Sequence, residues 1–179
     1  FATPTPSHSH RNNLPAQTTP FVGRETELAE LKRLMSVAGV RLVTILAPGG
    51  MGKTRISLEV ASQYVTSAHD STSHEDHFHN GVFFVELAPL TATENIPTAI
   101  AEAVGYQFLS DGREPRQQIL DFLREKSILL LLDNFEHLID GAAVTSEILR
   151  AAPQVKIIAT SRQRLNQSGE TIFNLEGMD

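Results

Sequence analysis

Arg41 to Ala47, RLVTILA, is a β-branched run that stops at Pro48-Gly49-Gly50, and a helical pattern follows from about Gly52 to Thr66. Strand, glycine loop and helix in that order severely limit what the chain can fold into. The segment Ala47-Pro48-Gly49-Gly50-Met51-Gly52-Lys53-Thr54 satisfies, in its second half, the phosphate-loop pattern, whose glycine-rich turn aims successive backbone N–H groups at an oxyanion. The helix that opens at Lys53 adds its positive N-terminal dipole. On this pattern Gly49, Gly50 and Gly52 let the backbone pass close to a β-phosphate. Lys53 reaches the β- and γ-phosphates, and the Thr54 hydroxyl ligates Mg²⁺. Ala47 stands where the pattern usually has its first glycine, at the end of a strand where a small residue with negative φ fits. A purely structural glycine turn would not require strand, Lys-Thr pair and helix to coincide.

The rest of the chain repeats the alternation. Apolar positions Leu28, Leu31, Leu34 and Met35 predict an amphipathic helix over 25–37. Gly81 to Leu87 is a second buried strand, followed by helices near 94–104 and 115–126. SILLLLD, 127–133, is a third, and its four consecutive leucines show no alternation, as expected of a strand covered on both faces in a parallel sheet. A helix over 136–152, a strand over 155–161 and a fifth strand over 171–175 complete the pattern. The fold class is therefore α/β, a three-layer sandwich around a parallel sheet.

At 179 residues the chain holds about one domain, able to bury about 70% of its unfolded surface. Residues 1–20 carry four prolines and almost no large apolar side chains, which reads as a flexible linker, with the domain over 21–179. The start at Phe1 suggests a piece cut from a longer chain. Zero cysteines exclude a disulfide framework, a thiolate zinc site and a cysteine nucleophile, and suit a cytoplasmic setting. The net charge of −6 argues against direct nucleic acid binding by this domain. No apolar run approaches a membrane span. Between the second helix and second strand, His74, Asp76, His77 and His79 are metal-ligand types, as part of a histidine-rich stretch over 69–79. Their spacing fits no tight helical or strand pair, and a solvated loop is the alternative that accounts for them.

Asp133 ends the third strand, at the edge where open α/β sheets bind ligands, and can hold Mg²⁺ with Thr54. Asn134 follows it and cannot take a proton, so Glu136, with His137 beside it, is the nearest candidate to polarise an attacking water. Glu136 also suits a first-turn acid complementing a helix dipole, and both roles can hold. Arg162 at the end of the fourth strand stands on the same edge, where it either neutralises a γ-phosphate or is an ordinary surface arginine.

Taken in order, FVGRETEL (21–28), APGGMGKTRISLEVA (47–61), GVFFVELAPL (81–90), ILLLLDNFEHL (128–138), KIIATSRQRL (156–165) and GETIFNLEGMD (169–179) resemble the nucleotide-binding domain of STAND-class P-loop ATPases. Within that class the NB-ARC-like module of large bacterial LuxR/AfsR-type regulators is most similar. The resemblance implies a P-loop NTPase sheet of order 5-1-4-3-2 and an ATP/ADP switch that uses Mg²⁺. It implies an adenine pocket at Phe21, Val22, Gly23 and Arg24, a phosphate site of Pro48, Gly49, Gly50, Met51, Gly52, Lys53, Thr54 and Arg55, and Arg162 as the sensor arginine. It implies as partners the downstream helical and winged-helix subdomains, C-terminal sensor repeats and a nucleotide-dependent homo-oligomer. Asn134 departs from the second acid many such domains carry, which points to slow hydrolysis. A nucleotide-stabilised scaffold without turnover and a small-molecule kinase are the competing functions.

Overall fold

The computed structural model describes residues 11–67 and 77–177. Five strands, β1 (Leu42–Leu46), β2 (Gly81–Glu86), β3 (Ile128–Asp133), β4 (Lys156–Ser161) and β5 (Glu170–Asn174), form one sheet. Its order is β2-β3-β4-β1-β5, the expected 5-1-4-3-2 seen from the other edge, and every pairing is parallel. The helices are α1 (Glu25–Ser36), α2 (Lys53–Ser67), α3 (Ile96–Val104), α4 (Pro115–Leu123) and α5 (Ala143–Ala151).

Side-chain alternation along each strand builds two cores. Leu129 and Leu131 of β3 point to one face with Val43, Ile45 and Ile158, where α1 supplies Leu31 and Met35 and α2 supplies Ile56 and Val60. Ile128, Leu130 and Leu132 point to the other, against Ile96 and Ile100 of α3, Ile119 and Leu123 of α4 and Ile148 of α5. A leucine at every position is thus buried by one layer or the other, which is why β3 shows no polar face. Two basic side chains finish helices: Lys156 donates to Met35 O and Val37 O behind α1, and Arg41 donates to Leu149 O and Ala152 O behind α5.

The structure corrects the expected helix over 136–152. Phe135–Gly141 is a 3-10 segment, Leu138 leaves helical geometry at φ −120°, and α5 begins only at Ala143. A Cβ on Gly141 would lie 2.7 Å from Thr93 Cβ and 2.9 Å from Ile96 Cδ1, so this segment is pressed against the start of α3. The His137 imidazole ties the same segment to Leu90 O at 3.0 Å. Residues 11–19, whose composition reads as linker, lie against the domain. Val82 N donates to Arg11 O, Asn12 bridges Val82 in parallel, and the Asn13 amide exchanges two hydrogen bonds with the Phe84 backbone.

Candidate nucleotide site

The ends of β1, β3 and β4 are neighbours in the sheet, and each turns toward the same crevice. From β1 comes the glycine loop. Gly50 at φ 77° and Gly52 at φ 83° adopt left-handed backbone that other residues reach only with strain. Gly49 differs, because a Cβ there would sit 2.7 Å from Arg162 Nη2, the far end of a flexible side chain. The guanidinium from the end of β4 therefore lies directly on the loop.

The buried Lys53 ammonium donates to Ala47 O at 2.8 Å and Pro48 O at 2.9 Å, across the turn it follows. Burial pulls its pKa below the ordinary lysine value, Glu136 and Asp133 oppose that drop, and Arg162 adds to it. The charges of Asp133, Glu136 and Arg162 thus all reach Lys53.

Asp133 receives two hydroxyls on one oxygen. Thr54 Oγ1 donates to Oδ1 at 2.7 Å and Thr160 Oγ1 to the same atom at 2.6 Å. Asn134 directly after it is left-handed, at φ 63° and ψ 56°, a conformation asparagine tolerates, and its N–H donates to Thr160 Oγ1. This bend carries the chain into the 3-10 segment and sets Glu136 against Arg162, with Oε1 3.4 Å from Nε. The other carboxylate oxygen, Oε2, is buried without a hydrogen-bond partner. Arg162 itself is 64% exposed.

A cleft of about 450 Å³ adjoins the loop, lined by Phe21, Val22, Arg24, Gly50, Met51, Gly52 and Arg55. Arg24 is buried there, donating to Met51 O at 3.2 Å and pairing with Glu27 at 3.5 Å, so the segment before α1 is fastened to the glycine loop. Gly23, at φ 85°, makes the turn that brings Arg24 in. Val22 is 72% exposed at the rim. Arg55 is held by the Gln17 side chain and by the backbone and hydroxyl of Thr19.

Of the residues named from the sequence for phosphate, magnesium and adenine, Phe21, Val22, Arg24, Gly50, Met51, Gly52 and Arg55 line the cleft, Pro48, Gly49, Lys53, Thr54, Asp133, Glu136 and Arg162 meet at the crevice beside it, and Gly23 makes the turn before Arg24. Sequence reasoning missed Thr160, inside ATSR, and the cleft-lining Thr19, Pro20 and Gly177. Thr160 carried no signal beyond a polar residue at a buried strand end. Of the histidine-rich stretch, His69, His74 and Asp76 lie outside the described residues, and His77 meets Tyr64 edge-on. Among the described residues no group of acids and histidines could hold a metal ion by itself, and no helix is long and apolar enough to cross a membrane.

A family model described as "AAA domain" matches residues 37–167. The chain is 36% identical over 141 residues to a protein of Mycobacterium tuberculosis named as an HTH-type transcriptional regulator, covering 77% of this chain and 14% of that protein. The ADP form of the Aeropyrum pernix ORC2 protein superposes at a TM-score of 0.61 with 17% identity, over 94% of this chain and 51% of that one. A Pyrococcus horikoshii signal-transduction ATPase with numerous domains and a tetratricopeptide repeat sensor superposes at 0.54 with 17% identity, over 98% of this chain and 26% of that one. The chain thus spans a small part of the regulator and at most about half of these solved chains.

Proposed function

We propose, from the premise that this chain belongs to the AAA domain family, that it is the ATP/ADP-binding switch of a multidomain transcriptional or signalling regulator and hydrolyses ATP slowly. The observation that carries this reading is the convergence of Lys53, Thr54 and Asp133 on one crevice, with Thr54 Oγ1 2.7 Å from Asp133 Oδ1. A hydroxyl and a carboxylate in contact are hard oxygen donors suited to Mg²⁺, which supplies charge neutralisation for the phosphates when bound. Lys53 holds the phosphates as a point charge, and the loop N–H groups complete the cradle. Glu136, with one buried oxygen unpaired, accepts a proton from water, and Arg162 recognises the terminal phosphate. The cleft beside Phe21, Val22 and Arg24 receives the base.

The STAND and NB-ARC-like character belongs to this proposal, supported by the order of motifs. So do closure by neighbouring subdomains, control by sensor repeats, nucleotide-dependent self-association and a cytoplasmic setting. A second reading, a nucleotide-stabilised scaffold, is favoured by Asn134, whose amide cannot act as a base. The test is calorimetry with Mg²⁺ and ADP or ATP on wild type and Lys53→Ala. Loss of the ammonium is expected to weaken both nucleotides at least about tenfold. Unchanged affinity in the variant would remove the assignment, and steady-state phosphate release separates switch from scaffold.

A further inference from the structure

We infer that Arg55 is a positioning residue: its guanidinium, on the first turn of α2, holds the segment 15–20 in place as a wall of the cleft proposed for the base. The inference rests on the nucleotide reading above and deepens it. The resemblance counts Arg55 among the phosphate residues, whereas its hydrogen bonds run to the segment before α1.

That segment is pinned at both ends. Before it, the Asn13 amide is bonded to the Phe84 backbone, and Leu14 packs on the core that α1 and α2 share. After it, Phe21 joins the same core and Arg24 donates to Met51 O. Every residue from 15 to 20 between these anchors is exposed, so burial does not order the stretch. The Gln17 amide donates only locally, to Pro15 O at 3.1 Å. Among the described residues, the hydrogen bonds that tie 15–20 to the body of the domain all come from Arg55. Its Nη1 donates to Gln17 Oε1 at 2.6 Å and to Thr19 Oγ1 at 3.2 Å, and its Nη2 donates to Thr19 O.

The residues held in this way belong to the cleft. Thr19 and Pro20 line it together with Phe21 and Val22, the glycine loop lines it with Gly50 to Gly52, and α2 contributes Arg55 itself. Holding Thr19 therefore sets where this wall stands relative to the loop. Arginine suits the task because its planar fork meets a side-chain carbonyl, a hydroxyl and a backbone carbonyl at once. A lysine ammonium is a single point charge on a flexible stem and cannot present that fork. Without the guanidinium, the exposed stretch samples many conformations. A site whose competent form is only a fraction of the population binds more weakly by that fraction.

The test is ADP titration calorimetry with Mg²⁺ on wild type, Arg55→Ala, Arg55→Lys, Gln17→Ala and the double variant Gln17→Ala/Arg55→Ala, with thermal unfolding of each in the absence of nucleotide. Arg55→Ala is expected to bind ADP about tenfold more weakly, and Arg55→Lys to lose most of the same affinity, with little change in unfolding midpoint for either. Gln17 does not line the cleft, so Gln17→Ala reports on the held segment alone. It is expected to weaken ADP in the same direction, and the double variant to lose less than the sum of the two. Wild-type affinity in Arg55→Lys overturns the inference by assigning the effect to charge, and so does unchanged affinity in Arg55→Ala or Gln17→Ala, or full additivity of the pair. Should Arg55→Ala not fold, Arg55→Lys and Gln17→Ala carry the comparison. Wild type that binds no ADP overturns the nucleotide reading itself, and the inference with it.

Discussion

Arg162 is the residue at which structure and switching can be separated most cleanly. In the protein it lies against Glu136, at 3.4 Å, and the Gly49 backbone, and it is 64% exposed. An ion pair so open to water contributes at most about 1 kcal/mol, so Arg162→Ala should move the unfolding free energy by no more than about that. The effect on ATP has another origin. A guanidinium on a terminal phosphate is a charge-assisted contact worth about 1.5 to 3 kcal/mol, from which the surrendered Glu136 pairing subtracts up to about 1. The remainder, about 0.5 to 3 kcal/mol, corresponds to about two- to 150-fold weaker ATP binding with ADP little changed.

Gly49 provides an independent check on the same geometry. The Cβ of Gly49→Ala would fall 2.7 Å from Nη2 and 3.1 Å from Cζ of Arg162, atoms at the far end of a flexible side chain, so the arginine moves rather than the loop. Gly49→Ala should therefore reproduce much of the Arg162→Ala phenotype, and combining the two should add little. The assay is calorimetric titration of ADP and a non-hydrolysable ATP analogue into wild type, both single variants and the double. Equal losses for the two nucleotides in Arg162→Ala would falsify the terminal-phosphate role and leave Arg162 a surface partner of Glu136.

Glu136→Gln keeps shape but cannot take a proton, so steady-state phosphate release should fall by about a hundredfold while ADP affinity holds; an unchanged rate returns Glu136 to helix-dipole and ion-pair duty. Lys53 gives a proton signature. Burial lowers its pKa from the ordinary 10.5 in the free protein, and phosphate charge favours the ammonium and raises it again on binding. Nucleotide binding should therefore take up protons in the alkaline range just below 10.5, and affinity should fall as pH rises through the free protein's lowered value. Calorimetry in buffers of different ionisation heat measures the uptake, and proton release on binding would contradict it.

The layers of this fold were legible because they rest on local rules. Four leucines in a row can be buried only between two helical layers, and a glycine turn opening a helix at Lys53 dictates a strand before it. Helix 136–152 was misread because the apolar spacing runs on through the 3-10 segment, and neither the departure of Leu138 from helical geometry nor the close packing of Thr93 and Ile96 against Gly141 leaves a mark in that spacing. Residues 11–19 were misleading for a related reason. Proline and polar residues bury little, but β2 is an edge strand with unpaired backbone groups, and the Asn13 amide can satisfy them as well as a strand would.

The site divides along the same line. The glycine-loop turn and the helix it opens follow from local backbone rules, so the roles proposed for its lysine and threonine could be read from eight consecutive letters. Thr160 and Arg162 acquire meaning only from the sheet order. With β4 between β3 and β1, the ATSR end of one strand faces Asp133 on one side and the glycine loop on the other. A different strand order would have left those same four letters as an ordinary strand terminus. The crevice is thus written twice, once as a contiguous motif of the phosphate-loop pattern and once as a register that brings the acid, Thr160 and the arginine to it. The register can be altered at Arg162 without touching the Lys-Thr pair of the motif, so the proposed terminal-phosphate role is open to test apart from phosphate gripping.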